Sequence, residues 1–423
     1  MRRSAIDTRR RANAGRATAS EPAGGDTTDF HDTPEDAQFR TKVRSFIEKE
    51  LPPELRKRDG ISSSFSAGGW GHPAAKTWRQ KLSERAWIAP AWPTEYGGAG
   101  MTVMQQFIFN EEMAIARAPR TGGGIAIGMA GPTIMAYGTD EQKQRFLPPI
   151  LAGEEVWCQG FSEPGAGSDL ASLETRAVRD GDDYVINGQK IWTSGAQQAR
   201  WMNLLARTDP DAPKHKGISY FLLDMKTPGI TIQPLVNLAG KADFYEVFFD
   251  NVHIPKDNLL GEENRGWYVG TTTLDFERSN IATTTNLVLT IHNLVNWARE
   301  HTKDPESALA RYPALRYQLA DRTIEAEVAR LMSYQVISMQ NAGLLPNKEA
   351  SVAKLYSSEL EQRIALTGLR TLGLYGQLTD EDAPLRGSLV RMYLYGVALT
   401  IGGGTSEIQR NIIAMRGLDM PRG

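Results

Sequence analysis

The sequence holds one cysteine, Cys158, in 423 residues, so no intrachain disulfide can form. That excludes a disulfide-stapled scaffold and fits a reducing compartment. Six histidines are scattered along the chain, with no HExxH pattern and no Cys/His cluster, so no metal site is expected. No apolar run approaches the about 18 residues of a membrane span, and with the chain stopping at Gly423 no added C-terminal membrane-binding region is expected. An excess of one charge is missing too. The net charge of −2 gives no footing for nucleic acid. What remains is an ordinary globular composition, 41% hydrophobic and 23% charged, on a length that suits two or three packed domains.

The first 27 residues stand apart. They carry Arg2, Arg3, Arg9, Arg10, Arg11 and Arg16 against Asp7, Glu21 and Asp26, with no apolar period. Residues 1–30 read as a disordered, dispensable tail, in a cytoplasmic protein. An Arg-rich, acid-poor transit peptide, and with it the mitochondrial matrix, is the alternative. Residues 31–155 have helical spacing, as in Phe39, Val43, Phe46 and Ile47, and predict an all-α domain. The segments Ala74 to Arg85, Val103 to Ala116 and Asp140 to Leu151 continue it. Residues 62–71 and 87–100 read as loops, the second an ordered one. Over 156–264 the period shortens. Residues 201–206, 218–223, 230–235 and 246–254 are short apolar runs between turn residues, which suggests a small antiparallel barrel or sandwich. Asn187-Gly188 predicts a hairpin turn. Residues 265–423 return to helices, enough for a bundle, with Ser406 and Gln409 read as a capping box and Gly417 as the stop.

Two blocks carry the chemistry. The first, Cys158-Gln159-Gly160-Phe161-Ser162-Glu163-Pro164-Gly165-Ala166-Gly167-Ser168-Asp169, is a glycine-rich turn with small hydroxyls. It lacks the third glycine and the following helix of a dinucleotide fingerprint, and read alone it has a tight structural turn as its lesser alternative. The second, Gly188-Gln189-Lys190-Ile191-Trp192-Thr193-Ser194-Gly195-Ala196, sets an indole beside two hydroxyls. Together they offer an aromatic wall and short donors to a flat cofactor, although a tryptophan in a β-domain is more often plain core.

With the Trp92-Pro93-x-x-Tyr96-Gly97-Gly98 loop and the terminal Gly404-Thr405-Ser406-Glu407-Ile408-Gln409-Arg410, the order of these motifs resembles the acyl-CoA dehydrogenase family over about residues 35–420. The resemblance implies an α+β fold: an N-terminal helical domain, a middle β-barrel domain and a C-terminal four-helix bundle. It implies FAD as cofactor, α,β-desaturation of an acyl-CoA thioester, and electron-transfer flavoprotein as acceptor. It places Phe161, Ser162, Trp192, Thr193, Ser194, Thr405 and Glu407 at the flavin. Ser168, Arg278 and the backbone N–H of Gly403 fall at the thioester and CoA.

Two departures follow. Many members carry their base immediately before the terminal Gly-Thr-Ser, where this chain has Gly403. A subset places the base just before an arginine on the first C-terminal helix, and Leu274-Asp275-Phe276-Glu277-Arg278 puts Glu277 there. A solvated helix carboxylate is the alternative reading of Glu277. The stretch expected to grip a neighbour's FAD reads Arg299 to Ser307 without the expected phenylalanine and glutamine, and Gly373-Leu374-Tyr375-Gly376 replaces a Gly-Gly-x-Gly. These losses are similar to those of heteromeric members acting on steroid side chains. A homo- or heterotetramer with a second acyl-CoA dehydrogenase-like subunit is expected, without membrane or nucleic-acid partners. A non-catalytic partner subunit, an acyl-CoA oxidase and a flavin monooxygenase stay open as alternatives.

Overall fold

The structure is a computed structural model and describes residues 32–56, 73–119, 124–276, 281–303, 305, 307–380 and 382–421. The helical period of the first third becomes α1 (Pro34–Glu50), α2 (Pro53–Arg56), α3 (Pro73–Ser83), α4 (Val103–Ile115), α5 (Gly131–Tyr137) and α6 (Asp140–Ala152). Hydroxyl caps set the starts of α1, α4 and α6. Thr33 accepts from the Asp36 N–H ahead of Pro34, and Thr102 and Thr139 each close a capping box with Gln105 and Gln142. The Pro/Gly-rich loop at 87–100 is ordered by Trp92, whose indole N–H donates to the Ile127 carbonyl at 2.8 Å. Its ring lies where a Cβ on Gly131 would fall. Residues 126–130 form a π-turn leading into α5 that the sequence reading missed. The expected tail at 1–30 and the loop at 62–71 lie outside the described residues.

The middle third is one seven-stranded sheet. Its strands are β1 (Trp157–Gly160), β2 (Arg176–Asp180), β3 (Asp183–Lys190), β4 (Trp201–Arg207), β5 (Ile218–Asp224), β6 (Ile230–Leu235) and β7 (Phe244–Ile254). The order is β1-β4-β2-β3-β7-β6, with β5 also paired to β4. Strands β1 and β2 run parallel to β4, so the sheet is mixed, a half-barrel, where antiparallel pairing throughout was expected. The predicted hairpin at Asn187-Gly188 is corrected: β3 runs straight through both residues, and the turn sits at Gly181 (φ +62°), between Asp180 and Asp183. Gly188 is required for another reason. It marks a register shift against β7, with φ of +148°, and a Cβ there would stand 2.7 Å from Thr175 Cα.

One face of the sheet shares a continuous core with the N-terminal helices, through Trp78, Trp87, Trp92 and Phe146 against Trp157, Trp201 and Tyr220. The other face closes its own core around Tyr184, Phe221 and Val247. The C-terminal third forms α7 (Gly266–Phe276), α8 (Ile281–His301), α9 (Ala308–Arg311), α10 (Ala314–Asn341), α11 (Asn347–Leu372), α12 (Ser388–Leu399) and α13 (Ser406–Ile412). The long helices α8, α10, α11 and α12 make the bundle around Leu287, Ile291, Leu319, Leu360, Ile364 and Leu389. The cap of α13 is one residue earlier than expected. Thr405 accepts from the Ile408 N–H, while Gln409 turns back to the carbonyls of Gly403 and Gly404 instead of boxing Ser406. Gly417 ends a further π-turn, Ile413–Gly417, not α13 itself.

Polar bonds lock the thirds together. Arg40 on α1 donates to the buried Glu111 and Glu112 of α4, and Arg330 of α10 reaches Glu111 from the bundle side. At a second junction, the hydroxyls of Thr133 (α5) and Thr273 (α7) lie 2.9 Å apart, and Tyr137 meets Thr272 at 2.8 Å. Helix α7 is thereby fixed to the N-terminal helices at Thr272 and Thr273.

Candidate active site

The two chemistry-bearing blocks meet at the end of β3. The glycine-rich block leaves β1 at Gly160 and turns tightly at Glu163 to Ala166, which exchange both backbone hydrogen bonds at 3.0 Å. The second block follows directly on Lys190. The Ile191 N–H donates to the Ser162 carbonyl at 2.9 Å, the Thr193 N–H to Tyr245 at 3.1 Å, and the Gly195 N–H to Asp243 at 3.3 Å. The loop 191–195 is therefore stitched to the first block on one side and to the start of β7 on the other.

Trp192 is the residue these bonds set out. It is 60% exposed, with φ of +60°, a left-handed backbone that costs a bulky residue about 1–2 kcal/mol. The flanking bonds at Ile191 and Thr193 over-determine that conformation. Its ring meets Phe244 edge-on at 6.1 Å, and Phe244 stacks on Tyr395 of α12 at 6.2 Å. The indole thus stands at the seam between the sheet and the bundle. Phe161 is buried in the shared core, against Tyr220 at 6.0 Å. Ser162 and Ser194 are half-buried, and among the described residues neither hydroxyl has a protein partner. The Thr193 hydroxyl is buried and also lacks one.

Beneath these loops lies an ion pair that the sequence reading did not single out. Lys190 is 0% exposed. Its ammonium donates to Glu163 Oε1 at 2.7 Å and to the Phe161 carbonyl at 2.9 Å. Burial pushes the ammonium down to about 8, against the pull of Glu163. Burial also opposes the Glu163 carboxylate, but Lys190 and the N–H groups of Thr175 and Glu174 outweigh it and hold that carboxyl below its usual range. A lysine and a glutamate inside two otherwise small-residue blocks were the available signal.

The other expected residues fall into separate places. Ser168 is exposed beside Asp169, which pairs with Lys214 at 2.8 Å and accepts from Ser172. Arg207 ties this rim down by donating to the carbonyls of Ala171 and Leu173. Gly403 and Gly404 make the loop between α12 and α13, both with positive φ. Lys354 holds that loop through the Leu399 and Gly404 carbonyls, and among the described residues the Gly403 N–H has no acceptor. Thr405 and Glu407 line a cleft of about 580 Å³ with Glu359, Gln362, Arg363 and Arg410; residues 161–194 take no part in it. The Glu407 carboxyl is held below its usual range by its own N–H and the Thr405 hydroxyl. Glu277 and Arg278 lie outside the described residues, directly after α7.

These residues fit a flavin. An aromatic face is held open, the hydroxyls of Ser162 and Ser194 are unspent, and the Gly403 N–H has no acceptor among the described residues, which is a donor set that a ring rich in carbonyls and nitrogens can use. No cluster of three or more metal-ligating side chains occurs among the described residues, and no helix there is long and apolar enough to cross a membrane.

The chain is similar to known proteins over nearly its whole length. The chain matches the acyl-CoA dehydrogenase N-terminal domain over residues 33–154, the middle domain over 158–252 and the C-terminal domain over 264–418. It is 39% identical to the acyl-CoA dehydrogenase FadE26 of Mycobacterium tuberculosis over 400 residues, covering 92% of this chain and 98% of that one. It is 32% identical to the human mitochondrial short-chain specific acyl-CoA dehydrogenase, covering 88% and 87%. Among solved structures, the Tcur3481-Tcur3483 steroid ACAD superposes with a TM-score of 0.82 at 34% identity, over 93% of this chain and 100% of that one. The ChsE4-ChsE5 complex of Mycobacterium tuberculosis gives 0.79 at 37%, over 93% and 100%. The chain belongs to the acyl-CoA dehydrogenase family, whose members are flavoprotein oxidoreductases acting on acyl-CoA.

Proposed function

We propose that this chain desaturates an acyl-CoA thioester with FAD, with Glu277 as the base, and that it works as one half of a heteromer. The observation that carries the flavin site is Trp192, exposed and strained, with the unspent hydroxyls of Ser162 and Ser194 beside it. When bound, FAD supplies the acceptor for the β-hydride. Trp192 would cover its ring and keep water away. Ser162, Thr193 and Ser194 would offer it hydroxyl groups. Thr405 and Glu407 would hold the remainder of the cofactor. Glu277 takes the α-proton, for which a carboxylate in an apolar pocket is suited because desolvation raises its proton affinity. The Gly403 N–H donates to the thioester oxygen as negative charge develops there. Ser168 and Arg278 orient the CoA portion. Electrons leave to electron-transfer flavoprotein.

The heteromer rests on an imbalance in the sequence. Groups for the ring and thioester are present, while the Arg299 to Ser307 stretch lacks the aromatic and amide groups expected to reach a neighbour's cofactor. Two of the similar structures carry paired names, Tcur3481-Tcur3483 and ChsE4-ChsE5, and the first is a steroid ACAD. A second dehydrogenase-like subunit would complete the pyrophosphate contacts, and a ring-bearing thioester would be the substrate. The test is expression alone and together with such a subunit, followed by sizing, flavin quantification and turnover on a panel of acyl-CoA thioesters. About one FAD per heterodimer, with activity only in the pair, is expected. A stable, active homo-oligomer with one FAD per chain refutes the heteromer.

A further inference from the structure

We infer that Glu163 and Lys190 are positioning residues for the flavin: one buried ion pair sets the spacing between the Ser162 hydroxyl and the Trp192 indole. This rests on the flavin reading of those two loops. Lys190 ends β3, two residues before Trp192, and its ammonium donates to the carbonyl of Phe161, one residue before Ser162. Its second bond goes to Glu163, one residue after Ser162. Ser162 is thus bracketed on both sides by groups that one ammonium holds. Its own carbonyl accepts from Ile191, the residue between Lys190 and Trp192.

Glu163 extends the anchorage to a third segment. Its carboxylate accepts from the Glu174 N–H at 2.7 Å and the Thr175 N–H at 2.9 Å, immediately before β2. Thr175 in turn donates from its hydroxyl to the Gln189 carbonyl at 3.2 Å and packs on Gly188. The turn, the end of β3 and the entry to β2 therefore meet on one pair of charges, with Lys190 0% and Glu163 8% exposed.

Stability alone does not account for this arrangement. A buried ion pair is often no better for stability than an apolar pair of similar volume, because desolvation offsets the attraction. What an apolar pair cannot do is fix a carbonyl, a carboxylate and two backbone N–H groups at set distances. The pair holds geometry, and the geometry it holds is that of the loops facing the cofactor.

The test uses the full chain, with FAD titrated into flavin-free protein and followed by absorbance and fluorescence. The double variant Glu163→Gln, Lys190→Met removes both charges at near-constant volume. It is expected to keep a native circular dichroism spectrum, to bind FAD at least tenfold more weakly, and to shift the main visible flavin band. Glu163→Gln alone, which keeps the shape and one acceptor, is the second variant. It is expected to weaken FAD at least threefold, and it decides the matter if the double variant does not fold. Trp192→Ala is the control. If it weakens FAD while both folded pair variants bind with wild-type affinity and spectrum, the positioning role is overturned and the flavin reading stands. If wild-type protein binds no FAD, alone or with a partner subunit, both fall.

Discussion

Replacing Trp192 by alanine separates a cofactor wall from a piece of core. The side chain is 60% exposed, and among the described residues its ring pairs with the edge of Phe244 at 6.1 Å. An exposed side chain with so little packing contributes little to folding, so the flavin-free variant should match wild type within about 0.5 kcal/mol. The backbone strain is unchanged, because alanine suffers at φ of +60° as tryptophan does. Against the flavin the loss is larger. Stacking of a flat heterocycle on an aromatic side chain is worth about 1–3 kcal/mol. At about 1.4 kcal/mol per factor of ten, FAD should bind roughly tenfold to a hundredfold more weakly. Equilibrium titration of flavin-free protein gives the affinity, and denaturant unfolding of the same samples gives the stability. An unchanged dissociation constant refutes the reasoning. So does a loss of several kcal/mol in the flavin-free protein, which would make the indole structural.

Two further perturbations test the fold around the site. Glu361 on α11 is half-buried and has no hydrogen-bond or ion-pair partner among the described residues, and loss of water around it raises its carboxyl to about 7. A pKa raised on folding favours the folded state at pH below about 4.5 and penalises it as pH rises through 7, so Glu361→Gln should stabilise the fold at pH 8 and change nothing at pH 4; a pH-independent difference in unfolding free energy would contradict this. Gly131→Ala forces a methyl into the Trp92 ring and should cost about 1–3 kcal/mol by denaturant unfolding, and an unchanged midpoint would show that Trp92 has room to move.

Much of the architecture was legible because helical period and hydroxyl caps are local signals. The spacing of Phe39, Val43, Phe46 and Ile47 became α1, and the apolar runs at 201–206 and 218–223 became strands β4 and β5. The failures lie where local and long-range causes share one residue pair. Asn187-Gly188 has the composition of a turn, yet the glycine is there to let Thr175 pass close by, which no window of β3 reveals. Strands β1 and β2 are too short to carry a period, and their parallel pairing with β4 depends on segments more than 25 residues away. The motifs brought out Trp192, Ser162 and Ser194, which the structure places on two adjoining loops. The ion pair under them was not brought out, because a lysine and a glutamate in sequence look solvated until both are buried.

Turnover of Glu277→Gln tests the central claim most directly, in the assembled protein with FAD bound and a thioester on which the wild type is active. Loss of a general base costs about a hundredfold or more, so the turnover number should fall at least that far. Thioester binding, followed through perturbation of the flavin spectrum, should largely survive. Turnover near that of the wild type would contradict the assignment of the base and, with glycine at position 403, would leave this chain without the carboxylate its chemistry requires.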